Sequence, residues 1–328
     1  MNLRPPGYEP GELPDCSTPR RDGQYTTVRR DFRLVPVGSG AFVMGTGIVS
    51  IALALDGEKA LSHTLFAIAA AGWLVSAAAA LGRARVPASL TGVAGTAVLG
   101  ARAALLGWGR VATVALALTV AMWLALVPGL IRTPRERAVG TSFLVVVATE
   151  SIAVLAALVS QVEDERWLAT FAVAPLVLGL AVYPLVARRF DLREVAFGHG
   201  DQWVAGGALA IAALACAQVG GAATGVLHTW LDHASFVVWA LAIGWLPVLV
   251  AGELRGPRRG FDLRRWATVF PVGMYAVCSF LVARNEGVAS IETFARIWVW
   301  VAVAVWVLAF AGAARRGART AAHYDPER

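Results

Sequence analysis

Three hydroxyls set at helical spacing invite a chemical reading. The segment Val37-Gly38-Ser39-Gly40-Ala41-Phe42-Val43-Met44-Gly45-Thr46-Gly47-Ile48-Val49-Ser50 puts Ser39, Thr46 and Ser50 on one narrow polar stripe of an otherwise apolar helix, with Val43 between them. A hydroxyl stripe of that kind suits the passage of a partly hydrated ion. Gly45 and Gly47 thin the same helix and let backbone groups approach an axis, although close packing on a neighbouring helix explains them almost as well. Thr96 and Thr149, in the middle of later apolar segments, and Thr268, near the start of another, join them as candidate pore-lining positions.

A second cluster opens the segment Trp266-Ala267-Thr268-Val269-Phe270-Pro271-Val272-Gly273-Met274-Tyr275. Pro271 has no N–H to give residue 267 and its ring crowds that carbonyl, which predicts a kink. A kink beside Phe270 can throw the ring into a lumen as a gate. The alternative is a phenylalanine packed between helices. Thr268, Val272, Tyr275 and Ser279 make the polar stripe of this helix, and Phe270 lies well away from it on an ideal helix, so only the kink would bring gate and stripe together.

Glu150 is the one acidic residue near the middle of an apolar segment, between Thr149 and Ser151. A deep ionisable group is costly in a bilayer, so it is expected to face the bundle interior, to have a partner and to serve function. A carboxyl that takes up and releases a proton beside an anion pathway could couple the two movements; a protonated acid bonded to a nearby carbonyl is the structural alternative. Arg102 and Arg296 lie within a turn or so of segment ends and can snorkel to the interface as anchors, with Arg102 also placed to draw anions toward a mouth. His228, Asp232 and His233 fall in a link, where a solvated loop is favoured over a metal site. No phosphate-binding glycine loop, nucleophile elbow or zinc-hydrolase motif is present, so neither catalytic residues nor a cofactor are expected.

The elements that must position these residues are membrane spans. Of 328 residues, 57% are hydrophobic and 16% charged, too apolar for a soluble enzyme. The apolar residues form ten blocks of roughly 18 to 22 residues, the length a helix needs to cross a bilayer, and neither the alternation of a barrel nor the amphipathic pattern of a soluble core occurs. The spans are Pro36 to Leu55, Leu61 to Leu81, Ser89 to Leu106, Val111 to Ile131, Val139 to Ser160, Trp167 to Ala187, Trp203 to Gly220, Ala234 to Gly252, Trp266 to Ala283 and Ile291 to Ala311. This divides the chain into an N-terminal tail over 1–35, an all-α membrane domain over 36–311 and a C-terminal tail over 312–328. The three cysteines imply no disulfide framework, and the first 35 residues, mixed in charge and without an apolar stretch, predict no cleavable signal peptide.

With both tails on one side, that side carries 23 of the 29 Lys and Arg, which predicts cytoplasmic tails in a plasma (inner) membrane. The net charge of +7 follows from this asymmetry and needs no nucleic-acid partner. Odd-numbered spans hold twelve glycines and thirteen Ser or Thr, even-numbered spans five and eight, whereas eight tryptophans sit on even spans and two on odd. Small residues and hydroxyls suit a close-packed, polar lumen and bulky aromatics suit lipid, so the pattern predicts five helical hairpins with an inner ring of odd helices around a central pore and an outer ring of even ones.

The stretch from Met44 to Ser50 and that from Trp266 to Gly273, together with the ten-span layout over Pro36 to Ala311, resemble the tellurite-resistance and dicarboxylate transporter family, which includes bacterial TehA, fungal malate permeases and sulphite pumps, and the slow anion channels of plant guard cells. The resemblance implies a homotrimer in a lipid bilayer, each protomer with its own pore lined by the odd helices and occluded by a helix-nine phenylalanine, here Phe270. The expected function is transport of small anions, either a dicarboxylate such as malate or monovalent inorganic anions. Efflux of sulphite or tellurite-type oxyanions is the alternative, and a membrane enzyme or receptor a remote one.

Overall fold

The computed structural model describes residues 37–81, 89–132, 138–197, 200, 202–256 and 263–323. The chain separates into Met1–Leu34, which lies outside the described residues with the expected N-terminal tail, and Val35–Arg328, which holds the described helices. The helices are α1 (Val37–Asp56), α2 (Lys59–Leu81), α3 (Leu90–Leu105), α4 (Gly109–Arg132), α5 (Leu144–Glu163), α6 (Arg166–Ala187), the short α7 (Arg193–Phe197), α8 (Trp203–Ala222), α9 (Gly225–Arg255), α10 (Trp266–Glu286) and α11 (Ala289–His323). The seventh to tenth spans of the sequence are therefore α8 to α11.

Among the described residues, nine helices are long and apolar enough to cross a membrane, and α3, with 16 residues, is a shorter apolar helix. At ~1.5 Å per residue α3 reaches about 24 Å. Ser89 caps its start by accepting from the Gly92 N–H at 3.0 Å, and Gly107, at a φ of +77°, turns the chain away just past its end. Two expectations need correction. Helix α9 begins at Gly225, so His228, Asp232 and His233 stand on a helix and not in a loop, and α11 runs past Ala311 to His323.

Five helices form a closed set. α1 packs on α3, α3 on α5, α5 on α8, α8 on α10, and α10 returns to α1. Each remaining long helix packs on the closed-set helix before it and the one after it: α2 on α1 and α3, α4 on α3 and α5, α6 on α5 and α8, α9 on α8 and α10, α11 on α10 and α1. Burial divides the two groups, 89% of the apolar window being buried in α8 and α10 against 17% in α2, α4 and α6.

Glycine permits the inner approach. A Cβ on Gly47 would stand 2.7 Å from Val98 of α3, one on Gly45 3.2 Å from Val269 of α10, and one on Gly207 2.8 Å from Pro271 of α10. Any side chain at these positions would push neighbouring helices apart.

The outer helices are fastened by aromatic donors. Indole Nε1 atoms donate from Trp73 of α2 to Thr96 of α3 at 2.8 Å, from Trp123 of α4 to Thr149 of α5 at 3.0 Å, from Trp239 of α9 to Ser279 of α10 at 2.8 Å and from Trp306 of α11 to Thr46 of α1 at 3.0 Å. On α6 the phenol of Tyr183 donates to the Ala205 carbonyl of α8 at 3.3 Å. Each donor thus reaches the inner helix that follows its own, and Trp73, Trp123 and Trp239 all stand fourteen residues after the first residue of their helices. Such a bond contributes roughly 0.6 kcal/mol within a membrane, so five contribute about 3 kcal/mol. Trp306→Phe and Thr46→Val should each lower the melting temperature in detergent, and the double variant should lose less than the sum of the two, read as a double-mutant cycle.

Candidate functional site: an apolar cavity inside the helix ring

The closed set of five lines a partly open cavity of about 50 Å³ toward the C-terminal ends of its helices, room for roughly three or four water centres. Every inner helix contributes to the wall, with Ile48 from α1, Val98 from α3, Val154 from α5, Ile211 from α8 and Met274 from α10. Of the sixteen lining side chains, Ser151 and Gln218 are the two polar ones, and none is charged. Gln218 also donates from Nε2 to Gln161 Oε1 at 3.0 Å.

None of the eight candidate pore-lining residues is among those sixteen. Thr46, Thr96 and Thr149 turn outward to receive the indoles of α11, α2 and α4. Ser50 donates to the Ser62 carbonyl of α2 at 2.7 Å. Gly45 and Gly47 face α10 and α3, and Thr268 donates to the Gly200 carbonyl at 3.3 Å. Ser39 is half-buried at the start of α1 and has a partner of its own. For Thr46, Ser50, Thr96 and Thr149 the physical reason is the same: in a bilayer a hydroxyl is most stable where a second helix offers a donor or acceptor, and here the outer helices supply it.

Phe270 lies differently from the expectation. With about 100° per residue, Phe270, Met274, Val277 and Leu281 fall within about 60° of one another, so Phe270 shares the face of α10 that lines the cavity, one turn beyond Met274. The polar stripe of α10 points the other way: the Tyr275 hydroxyl donates to the Ala242 carbonyl of α9 at 2.9 Å, and Ser279 receives Trp239. No kink is required to bring Phe270 to that face, and α10 runs continuously through Pro271. Ser151 and Gln218 lie on apolar faces of their helices, and the apolar face of each odd span is the signal in the sequence that marks the cavity wall. Among the described residues no group of three His, Cys, Asp or Glu could hold a metal ion.

Residues 35–314 match the model of a family described as the voltage-dependent anion channel, SLAC1. The chain belongs to that family. It is therefore a multi-pass α-helical membrane protein of anion transport and not an enzyme. Two curated relatives, the uncharacterized membrane proteins MT1776 of Mycobacterium tuberculosis (strain CDC 1551 / Oshkosh) and Rv1735c of Mycobacterium tuberculosis (strain ATCC 25618 / H37Rv), are each 34% identical over 150 residues, covering 42% of this chain and 72% of theirs.

Within this SLAC1-family chain Glu150 occupies a place of its own. It is fully buried, and neither carboxyl oxygen has a hydrogen-bond partner in the protein. The carboxyl lies against Gly179 of α6, where a Cβ would overlap it, and so stands between α5 and α6 and not in the cavity wall. Gly179→Ala should lower stability by about 1–3 kcal/mol, the usual cost of overpacking. Glu150→Ala in the same chain should restore the melting temperature, because it removes the atoms that the new methyl meets.

Proposed function

We propose that the five inner helices form the anion pathway of one protomer, that the ten spans act as five hairpins around it, and that Phe270 closes it one turn from the cavity. The observation that carries this reading is the partly open cavity to which all five inner helices contribute, with Phe270 on the lining face of α10. Both tails lie in the cytoplasm of an inner-membrane protein, in keeping with the positive charge gathered on the tail side, so the cavity faces outward. The family's homotrimer, with one pore per protomer, is the assembly expected.

The lining favours monovalent inorganic anions over malate. An apolar wall with one hydroxyl and one amide offers little to replace an ion's hydration, and the cost of removing that hydration grows with the square of the charge, about fourfold for a dianion of equal size. An ion that loses its water easily passes, and a dicarboxylate does not. A constriction of this kind also closes by expelling water when a ring such as that of Phe270 narrows it.

Purified protein in liposomes tests the reading with nitrate, chloride, sulphite and malate offered in parallel. Nitrate should move fastest and malate slowest; malate flux equal to that of nitrate would overturn the charge argument, and sulphite flux above both would favour oxyanion efflux. Phe270→Ala should raise nitrate flux, by about tenfold if the ring adds about 1.4 kcal/mol to the barrier. Unchanged flux at normal protein level would remove the gate.

Glu150 is the candidate for proton linkage. Its carboxyl is out of reach of an ion in the cavity, so coupling would pass through the packing of α5 on α6. Glu150→Gln should abolish any pH dependence of uptake measured with and without a proton gradient, and a retained dependence would show that this acid has a structural role.

A further inference from the structure

Arg102 is the one arginine of α3 and is 97% buried, its exposure being 3%. Its Nε and Nη2 both donate to a single atom, the Ser62 hydroxyl of α2, at 3.1 and 2.9 Å. That hydroxyl donates in turn to the Ser50 carbonyl of α1 at 2.7 Å, so its proton points away from the guanidinium. The Phe66 ring lies 6.0 Å from the guanidinium carbon. Among the described residues no carboxylate pairs with Arg102. Arg296 is the contrast: more than half exposed, it is paired with Asp56 at 3.1 Å and Glu292 at 2.7 Å.

A buried guanidinium without a counter-charge is costly. The carbonyl end of α3 supplies about half a negative charge along its axis and leaves roughly half unmatched. One hydroxyl oxygen uses two of the five N–H groups, and the fork that remains suits a planar or spherical anion. Ala101 and Leu105 of the same stretch of α3 line the cavity, whereas the guanidinium of Arg102 turns to Ser62 and Phe66 of α2, behind that wall and near the C-terminal ends of the inner helices.

We propose that Arg102, held by Ser62, is a binding site for one small monovalent inorganic anion beside the cavity. It rests on the transport reading above only in lying next to the pathway. The bound ion supplies the charge that the protein does not, and Ser62 acts as a positioning residue that aims the guanidinium.

Iodide is the probe, titrated into the full-length protein in detergent at constant ionic strength with gluconate as the replaced salt. The melting temperature of the native protein should rise with iodide, as for a ligand that binds only the folded state. Arg102→Gln should shift the half-saturating iodide upward by about tenfold or more, a loss of about 1.4 kcal/mol. Arg296→Gln, which removes an exposed arginine already paired with Asp56 and Glu292, should leave the titration unchanged. An Arg102→Gln protein that responds to iodide like the native one would overturn the proposal.

Should Arg102→Gln fail to fold, anomalous diffraction from iodide-soaked crystals of the native protein decides: a peak beside the guanidinium supports the site, and its absence overturns it. Liposomes tight to every anion with the iodide response intact would defeat the transport reading and leave the site standing. Anion flux without an iodide response that depends on Arg102 would do the reverse.

Discussion

An indole N–H inside a bilayer has no water to bond and must find an oxygen on the protein or remain unpaired at a cost, whereas Thr96 and Thr149 already donate to carbonyls of their own helices and have a lone pair to offer it. The arrangement of helices in this protein follows from that constraint. Four indoles and one phenol on the lipid-facing helices each meet an oxygen on the next inner helix, and the bond from Trp306 of α11 to Thr46 of α1 joins the last helix to the first. These contacts recur around the assembly, so each outer helix is tied to two inner ones, by its connecting turn on one side and by its aromatic donor on the other. Tryptophan serves this purpose well because it combines a large apolar body for lipid with one donor that needs a partner.

The consequence for the interior is the reverse of what a hydroxyl-lined channel would give. Once Ser50, Thr46, Thr96 and Thr149 are committed outward, the faces left for the axis are aliphatic, and glycines such as Gly47 and Gly207 bring those faces close. What results is a narrow space with a weakly polar wall. The buried ionisable groups Glu150 and Arg102 stand outside the wall of this space, Glu150 between α5 and α6 and Arg102 where α1, α2 and α3 meet.

The hydroxyl and tryptophan counts of the spans pointed to a sorting of odd from even helices, and the burial of α5, α8 and α10 against the exposure of α2, α4 and α6 agrees with that sorting. Four of the hydroxyls on the inner helices, those of Thr46, Thr96, Thr149 and Ser279, accept indole donors from outer helices. Phe270 lies on the side of α10 opposite the stripe of Tyr275 and Ser279, which faces α9.

By itself the sequence determined that the chain crosses a membrane many times as helices, and that odd- and even-numbered spans differ in glycine, hydroxyl and tryptophan content. These properties depend on composition and on spacing along one segment, and hydrophobic burial reads both directly. Which face of each inner helix turns to the axis was decided only by tertiary structure. A hydroxyl stripe is equally compatible with water on one side and an indole on the other, and the choice depends on a partner more than twenty residues away, 260 residues away in the case of Thr46 and Trp306. The same holds for Ser151, Gln218 and the unmatched charge of Arg102, whose character comes from what neighbouring helices bring to them and from what they do not.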